Sequence, residues 1–151
     1  MIKKGARPHV SLLVGRGIRE AVAEDKLRQL ASRFSNIEIN FSHLGFFPII
    51  DSPDNHVVHI GVTPTEQLLA LHNSAFQGLQ HEFEFIEPHY APEEINLHCT
   101  LALDLKRENI KPYFEIVQSF ALPKSCECNT IDIVEYFPAT HKTSIALTDH
   151  K

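Results

Sequence analysis

The sequence contains no tryptophan, a single methionine and only three cysteines, Cys99, Cys126 and Cys128. An odd and small cysteine count excludes a disulfide scaffold and fits a reducing compartment. No apolar run approaches the ~20 residues of a membrane-spanning helix, and residues 1–6 lack the apolar stretch of a secretory leader. A soluble cytoplasmic protein with no membrane partner is the expectation. Positive charge is scarce as well: 14 Lys and Arg against 19 Asp and Glu leave a net charge of −5 with histidine neutral. Such a chain has no broad basic field for holding duplex DNA by its phosphates, so any nucleic acid must be gripped locally, in a cleft. The one basic concentration, Lys3, Lys4 and Arg7 followed by Arg16 and Arg19, reads as solvated surface.

Apolar residues and histidine, by contrast, are plentiful. Apolar residues make up 43% of 151, enough for one sizeable core, and no Gly-, Ser- or Pro-rich linker divides the chain. A single domain over residues 1–151 is expected, as a monomer or weak dimer. Histidine occurs ten times, which raises metal binding or proton transfer as themes.

The periodicities predict a mixed order. Pro8–Val14 reads as a short strand ended by Gly15 and Gly17, and residues 19–34 as a helix with Ala21, Val22, Leu27, Leu30, Ala31 and Phe34 on its apolar side. Ile37–Phe41 alternates as a half-buried strand, and residues 46–62 resemble a hairpin turning at Asp51–Asn55. Thr63 and Pro64 have the grammar of a helix start, with the helix running to about Leu79. After a polar loop, Phe85 to Asn96, come a strand at Leu97–Leu105, a helix at Arg107–Phe120, and strands near Cys128–Phe137 and Thr143–Asp149. Strands that neighbour one another as hairpins among interspersed helices indicate an α+β fold with antiparallel sheet.

Two segments repeat one pattern. His9-Val10-Ser11-Leu12 and His98-Cys99-Thr100-Leu101 both read histidine, apolar, hydroxyl, Leu. On a strand, alternate side chains share a face, so His9 joins Ser11 and His98 joins Thr100, each pair about 6–7 Å apart along the backbone. If the two strands meet across a cleft, the site holds two imidazoles and two hydroxyls. That set suits a phosphodiester. A neutral imidazole takes the proton of the attacking water or hydroxyl, and a protonated one gives a proton to the departing oxygen. The hydroxyls donate to the non-bridging oxygens, where negative charge sits. This chemistry calls for no metal and no cofactor.

The paired motifs resemble the signature of the 2H phosphoesterases, the 2′-5′ RNA ligase-like superfamily: two His-x-Thr/Ser-x motifs in which x is hydrophobic. Leu44-Gly45-Phe46-Phe47-Pro48, Val57–Pro64, Leu68–His72 and Tyr90-Ala91-Pro92 are similar to the family as well, so the resemblance spans about residues 7–148. It implies a bilobal α+β fold, with two antiparallel sheets flanking a central cleft and helices outside. It also implies metal-independent action on a 2′,3′-cyclic phosphate, a 2′-5′ linkage or a related ester, with a small cyclic nucleotide or an RNA end as partner. A 2′-5′ RNA ligase activity, or a non-catalytic RNA-end or nucleotide-binding module, are the alternatives. By the same resemblance, His9 and His98 would be acid and base, with Ser11 and Thr100 as phosphoryl clamps. In many members a strand and a helix precede the first motif; here His9 arrives almost at once, so the expectation is a first lobe that either lacks its first strand or takes it from another chain or an omitted N-terminal stretch.

Outside the motifs, Tyr90 is a candidate for stacking on a base or closing the phosphate pocket, and Arg7 for placing positive charge beside the phosphate. His89 is a weaker candidate for substrate contact. His56 and His59 lie three apart on a strand and so face opposite sides, which argues against a metal pair. Cys126 and Cys128 share a face but make an incomplete zinc site and read as surface thiols. His72 and His81 read as surface or boundary residues, and Phe46 and Phe47 as core.

Overall fold

The computed structural model describes residues 7–136 and 140–148. Its centre is a long hairpin. Strand β2 (Ile37–Ile49) turns through residues 50 and 51 into β3 (Ser52–Thr63), with Ile49 paired to Ser52. The turn is therefore tighter than the run of breakers suggested, and both strands extend beyond residues 46–62. β3 is the inner strand: it pairs with β2 on one side and with β5 (His98–Lys106) on the other, while β6 (Ser125–Cys128) adds to β2. The order β5-β3-β2-β6 is antiparallel throughout, and β3 is buried without a break from His56 to Val62. A strand with neighbours on both sides and cover on both faces has no solvated side to alternate toward.

The largest core lies where two helices meet one end of this sheet. Helix α1 (Glu20–Ala31) buries Ala23, Leu27, Leu30 and Ala31, a stripe at helical spacing. Helix α2 (Glu66–Leu79) buries Leu68, Leu71, His72, Ala75 and Leu79. Both pack with Ile37, Ile39 and Val62 of the sheet and with Ile131, Ile145 and Leu147 from a two-stranded ribbon, β7 (Thr130–Glu135) with β8 (Thr140–Ala146). A second ribbon joins β1 (Gly15–Arg16) to β4 (Phe85–Ile86). Helix α3 (Ile110–Gln118) follows a single tight turn at 107–109 and packs near the sheet face that carries Phe46 and His56. No helix among the described residues is long and apolar enough to cross a membrane.

The fold is α+β with antiparallel strands, as the sequence pattern indicates, but several elements differ from expectation. The strand expected at Pro8–Val14 reduces to one antiparallel bridge, Val10 with Cys99, and the regular pairing begins only at Gly15. Pro8 has no N–H to donate to a ladder, which removes one of the bonds a continuous strand would need. The two expected sheets become one four-stranded sheet and two ribbons among the described residues. The strand expected near Cys128–Phe137 is cut at Asn129, where the chain leaves the large sheet at β6 and enters the ribbon at β7. Phe137, Asp149, Lys3 and Lys4 lie outside the described residues. Phe46 is half exposed and does not join the core.

The cap of α2 also moves. Thr65, not Thr63, is the N-cap, and its hydroxyl accepts the Leu68 N–H at 3.2 Å. Thr63 ends β3 opposite Asn40. A side-chain cap of this kind is worth about 1 kcal/mol. Thr65→Ala is therefore expected to lower stability in urea unfolding by about 1 kcal/mol, and Thr63→Ala by clearly less; equal losses would place the cap at the wrong threonine.

Candidate active site

The register of the large sheet builds one half of the site. His98 pairs with Gly61, which pairs with His43; Thr100 pairs with His59, which pairs with Gly45. Directly opposed residues share a face, so two rows cross three strands on one side of the sheet. A bulge at Ser42 makes this arrangement possible. Ile37, Ile39 and Phe41 point with Val62 toward the helices, and without the extra residue His43 would follow them. The glycines make room for the rings: a Cβ on Gly45 would come within 2.7 Å of His59 Nε2, and one on Gly61 would collide with the His43 ring.

His98 is oriented from three directions. Its Nδ1 lies 2.7 Å from the Asn96 carbonyl, Phe47 meets it edge-on at 5.4 Å between centroids, and the His59 ring lies 5.1 Å away. A carbonyl can only accept, so Nδ1 carries the proton and Nε2 is left for chemistry.

The other half repeats the device. His9 Nδ1 donates to the Arg7 carbonyl at 2.8 Å, again two residues back, which leaves Nε2 as the second ring position. That nitrogen meets the Tyr136 hydroxyl at 2.9 Å, and the same hydroxyl lies 3.3 Å from Ser11 Oγ. The segment has little backbone pairing of its own, and the β7–β8 ribbon holds it by side chains. The Arg7 N–H donates to His141 Nε2 at 3.1 Å, and the Arg7 guanidinium reaches Asp132 at 3.1 Å and Ser144 at 3.3 Å. His141 Nδ1 in turn lies 3.4 Å from Asp132. The Arg7 charge is thus directed at the ribbon, while its carbonyl orients His9.

The two halves meet at the Val10–Cys99 bridge. In an antiparallel pair, the residues flanking a bridge oppose each other in reversed order, so His9 falls opposite Thr100 and Ser11 opposite His98. An antiparallel pair continued one residue either side of this bridge sets the two imidazoles on a diagonal, a separation of about 7–8 Å between their positions. That pairing is two-fold symmetric in its motifs: each histidine falls across from the hydroxyl residue of the other segment.

A family model described as the 2′-5′ RNA ligase superfamily matches residues 4–137. The chain belongs to the 2′-5′ RNA ligase superfamily. Its match covers most of the sequence and includes both His-x-hydroxyl motifs. No curated protein matches it.

Within this superfamily member, several residues around the motifs carry no signal in sequence spacing. Tyr136 directly follows β7 and meets the first motif through its hydroxyl, a contact 127 residues apart in sequence from His9. Tyr90, a candidate from the sequence, stands near Ser11 and Tyr136; burial, then Tyr136, push its hydroxyl up to about 12, so it stays protonated at neutral pH. The backbone of Tyr90 is fixed by His72. That histidine is fully buried, not a boundary residue, and its Nε2 lies 3.0 Å from the Tyr90 carbonyl. His89 is exposed beside Glu87. His56 and His59 do face opposite sides: His56 packs on Phe46, while His59 lies against His98 and Phe47. Cys126 is exposed and Cys128 half-buried, with burial pushing the latter's thiol up to about 11.

His59 is the most perturbed imidazole. Burial, then the charges of His98 and His43, lower its pKa from 6.5 to about 4. At neutral pH it therefore presents no positive charge to His98. The unfolded chain takes up a proton at His59 that the folded chain refuses between pH 6.5 and about 4. This contribution to stability is full above that window and lost as pH falls through it. Urea midpoints compared at about pH 7 and pH 5 should fall less in His59→Gln than in the parent. An identical decline in both proteins would contradict the assignment.

Proposed function

We propose that this protein is a metal-independent phosphodiesterase that opens a 2′,3′-cyclic phosphate, or a related cyclic or 2′-5′-linked phosphodiester, of a nucleotide or RNA end. Its three free thiols suit a reducing cytoplasm. The observation that supports the reading is the pair of motifs joined by the Val10–Cys99 bridge: two imidazoles, each tied at Nδ1 to the carbonyl two residues before it, so that Nε2 is the ring nitrogen each has for chemistry.

The chemistry follows from those groups. One imidazole, neutral, accepts a proton from water as its oxygen bonds to phosphorus. The bond from phosphorus to one ribose oxygen breaks, and the second imidazole, protonated, gives its proton to that oxygen. The product is a ring-opened monoester, and the two histidines exchange protonation states. Ser11 and Thr100 donate hydrogen bonds to the non-bridging oxygens, which carry the negative charge throughout. The strain of a five-membered cyclic phosphate lowers the barrier, so acid–base catalysis and two hydroxyl donors are adequate. The net charge of −5 is compatible with a small anionic ester held at one point.

With 2′,3′-cyclic AMP as substrate, His9→Ala and His98→Ala should each reduce turnover by about 10²–10⁴-fold. The parent should give a bell-shaped pH–rate profile, and a chelator should leave its rate unchanged. Full activity in either single variant would remove the two-histidine mechanism. Binding of the cyclic nucleotide without turnover by the parent would make it a binding module instead.

A further inference from the structure

The Tyr136 hydroxyl occupies the place where the first motif would meet its substrate. It lies 2.9 Å from His9 Nε2 and 3.3 Å from Ser11 Oγ, the two atoms that the proposed reaction uses. The direction of these bonds can be worked out. His9 Nδ1 carries the ring proton because its partner is the Arg7 carbonyl, so in the neutral ring Nε2 accepts. Tyr136 then donates to Nε2, and its oxygen is left to accept the Ser11 O–H. In this state the imidazole and the clamp hydroxyl are both engaged by Tyr136.

Protonation of His9 reverses the pattern. Nε2 becomes a donor, Tyr136 oxygen becomes its acceptor, and the phenolic proton turns outward together with that of Ser11. Two O–H donors and an imidazolium then face one point, a pattern that fits the non-bridging oxygen of a phosphate. Among the described residues the tyrosine has no counterpart at His98, whose ring is packed by Phe47 and His59.

We propose that Tyr136 is a third phosphoryl-binding hydroxyl and that it couples anion binding to protonation of His9. The proposal rests on the phosphodiesterase reading and deepens it by making the two halves of the site unequal. The charged and titratable groups around the first motif come from several elements, with Tyr136 on the His9 ring itself and Asp132 and His141 on Arg7. Tyr136, Asp132 and His141 come from the ribbon, Tyr90 from the turn after β4, Arg7 from its own segment, and Cys99 and His98 from β5. Replacing Tyr136 alone leaves all the others in place.

The test compares the parent with Tyr136→Phe, which keeps the ring and removes only the hydroxyl. The His9 imidazole is titrated by NMR with and without inorganic phosphate, and turnover of 2′,3′-cyclic AMP is measured in parallel. In the parent, phosphate should raise the pH at which His9 titrates. In the variant that rise should shrink, phosphate affinity should fall about tenfold, as expected for one hydrogen bond to a charged group, and kcat/KM should fall at least as far. Phosphate affinity and His9 titration within twofold of the parent would overturn the proposal. Tighter phosphate binding by the variant would overturn it too, because the hydroxyl would then be an obstruction. If the parent binds phosphate but turns over no cyclic ester, the phosphodiesterase reading falls and the affinity ratio alone decides the role of Tyr136. A parent that binds no phosphate overturns it.

Discussion

One backbone bridge, Val10 with Cys99, connects the two motifs, and the geometry of the site depends on it. The antiparallel sense of that bridge sets His9 against Thr100 and Ser11 against His98; a parallel contact would have set histidine beside histidine and hydroxyl beside hydroxyl. A lone bridge is a weak tie. The structure reinforces it on the N-terminal side with the β7–β8 ribbon, whose Asp132, Ser144 and His141 hold Arg7 and whose Tyr136 meets His9. On the other side β5 belongs to the large sheet and needs no such support.

The two histidines are consequently held by different physics. Both have Nδ1 fixed by a carbonyl two residues earlier, so both present the same ring nitrogen. Beyond that they diverge. His98 sits among rings, beside a histidine that stays uncharged because it is buried, with Gly45 and Gly61 making space for the imidazoles. His9 sits among hydroxyls, which can donate or accept as its charge requires. A site symmetric in its motifs is asymmetric in its surroundings, and surroundings of this kind separate an acid from a base.

The helices and the inner hairpin were legible because their apolar spacing is dictated by local geometry: Leu27 with Leu30 on α1, Leu68 with Leu71 on α2, Ile37 with Ile39 on β2. The His-x-hydroxyl repeat was legible for the same reason, since period two along an extended segment is a local property. Where local pattern competes with pairing, the sequence misled. Pro8–Val14 alternates like a strand yet finds one partner, and Cys128 and Thr130 look continuous yet belong to different sheets.

The sequence by itself determined the α+β class and which residue types repeat, because each follows from spacing along the chain, and its motifs resemble the superfamily to which the chain belongs. Only the tertiary structure decided that the abundant histidines are not spare. His72 fixes Tyr90, His141 holds Arg7, and His59 stands beside His98. It also brought Tyr136 to His9 across most of the length of the chain. These contacts arise from strand register, a bulge at Ser42 and a ribbon folding over a loose segment. No periodicity encodes them, because each depends on which distant strand lies alongside.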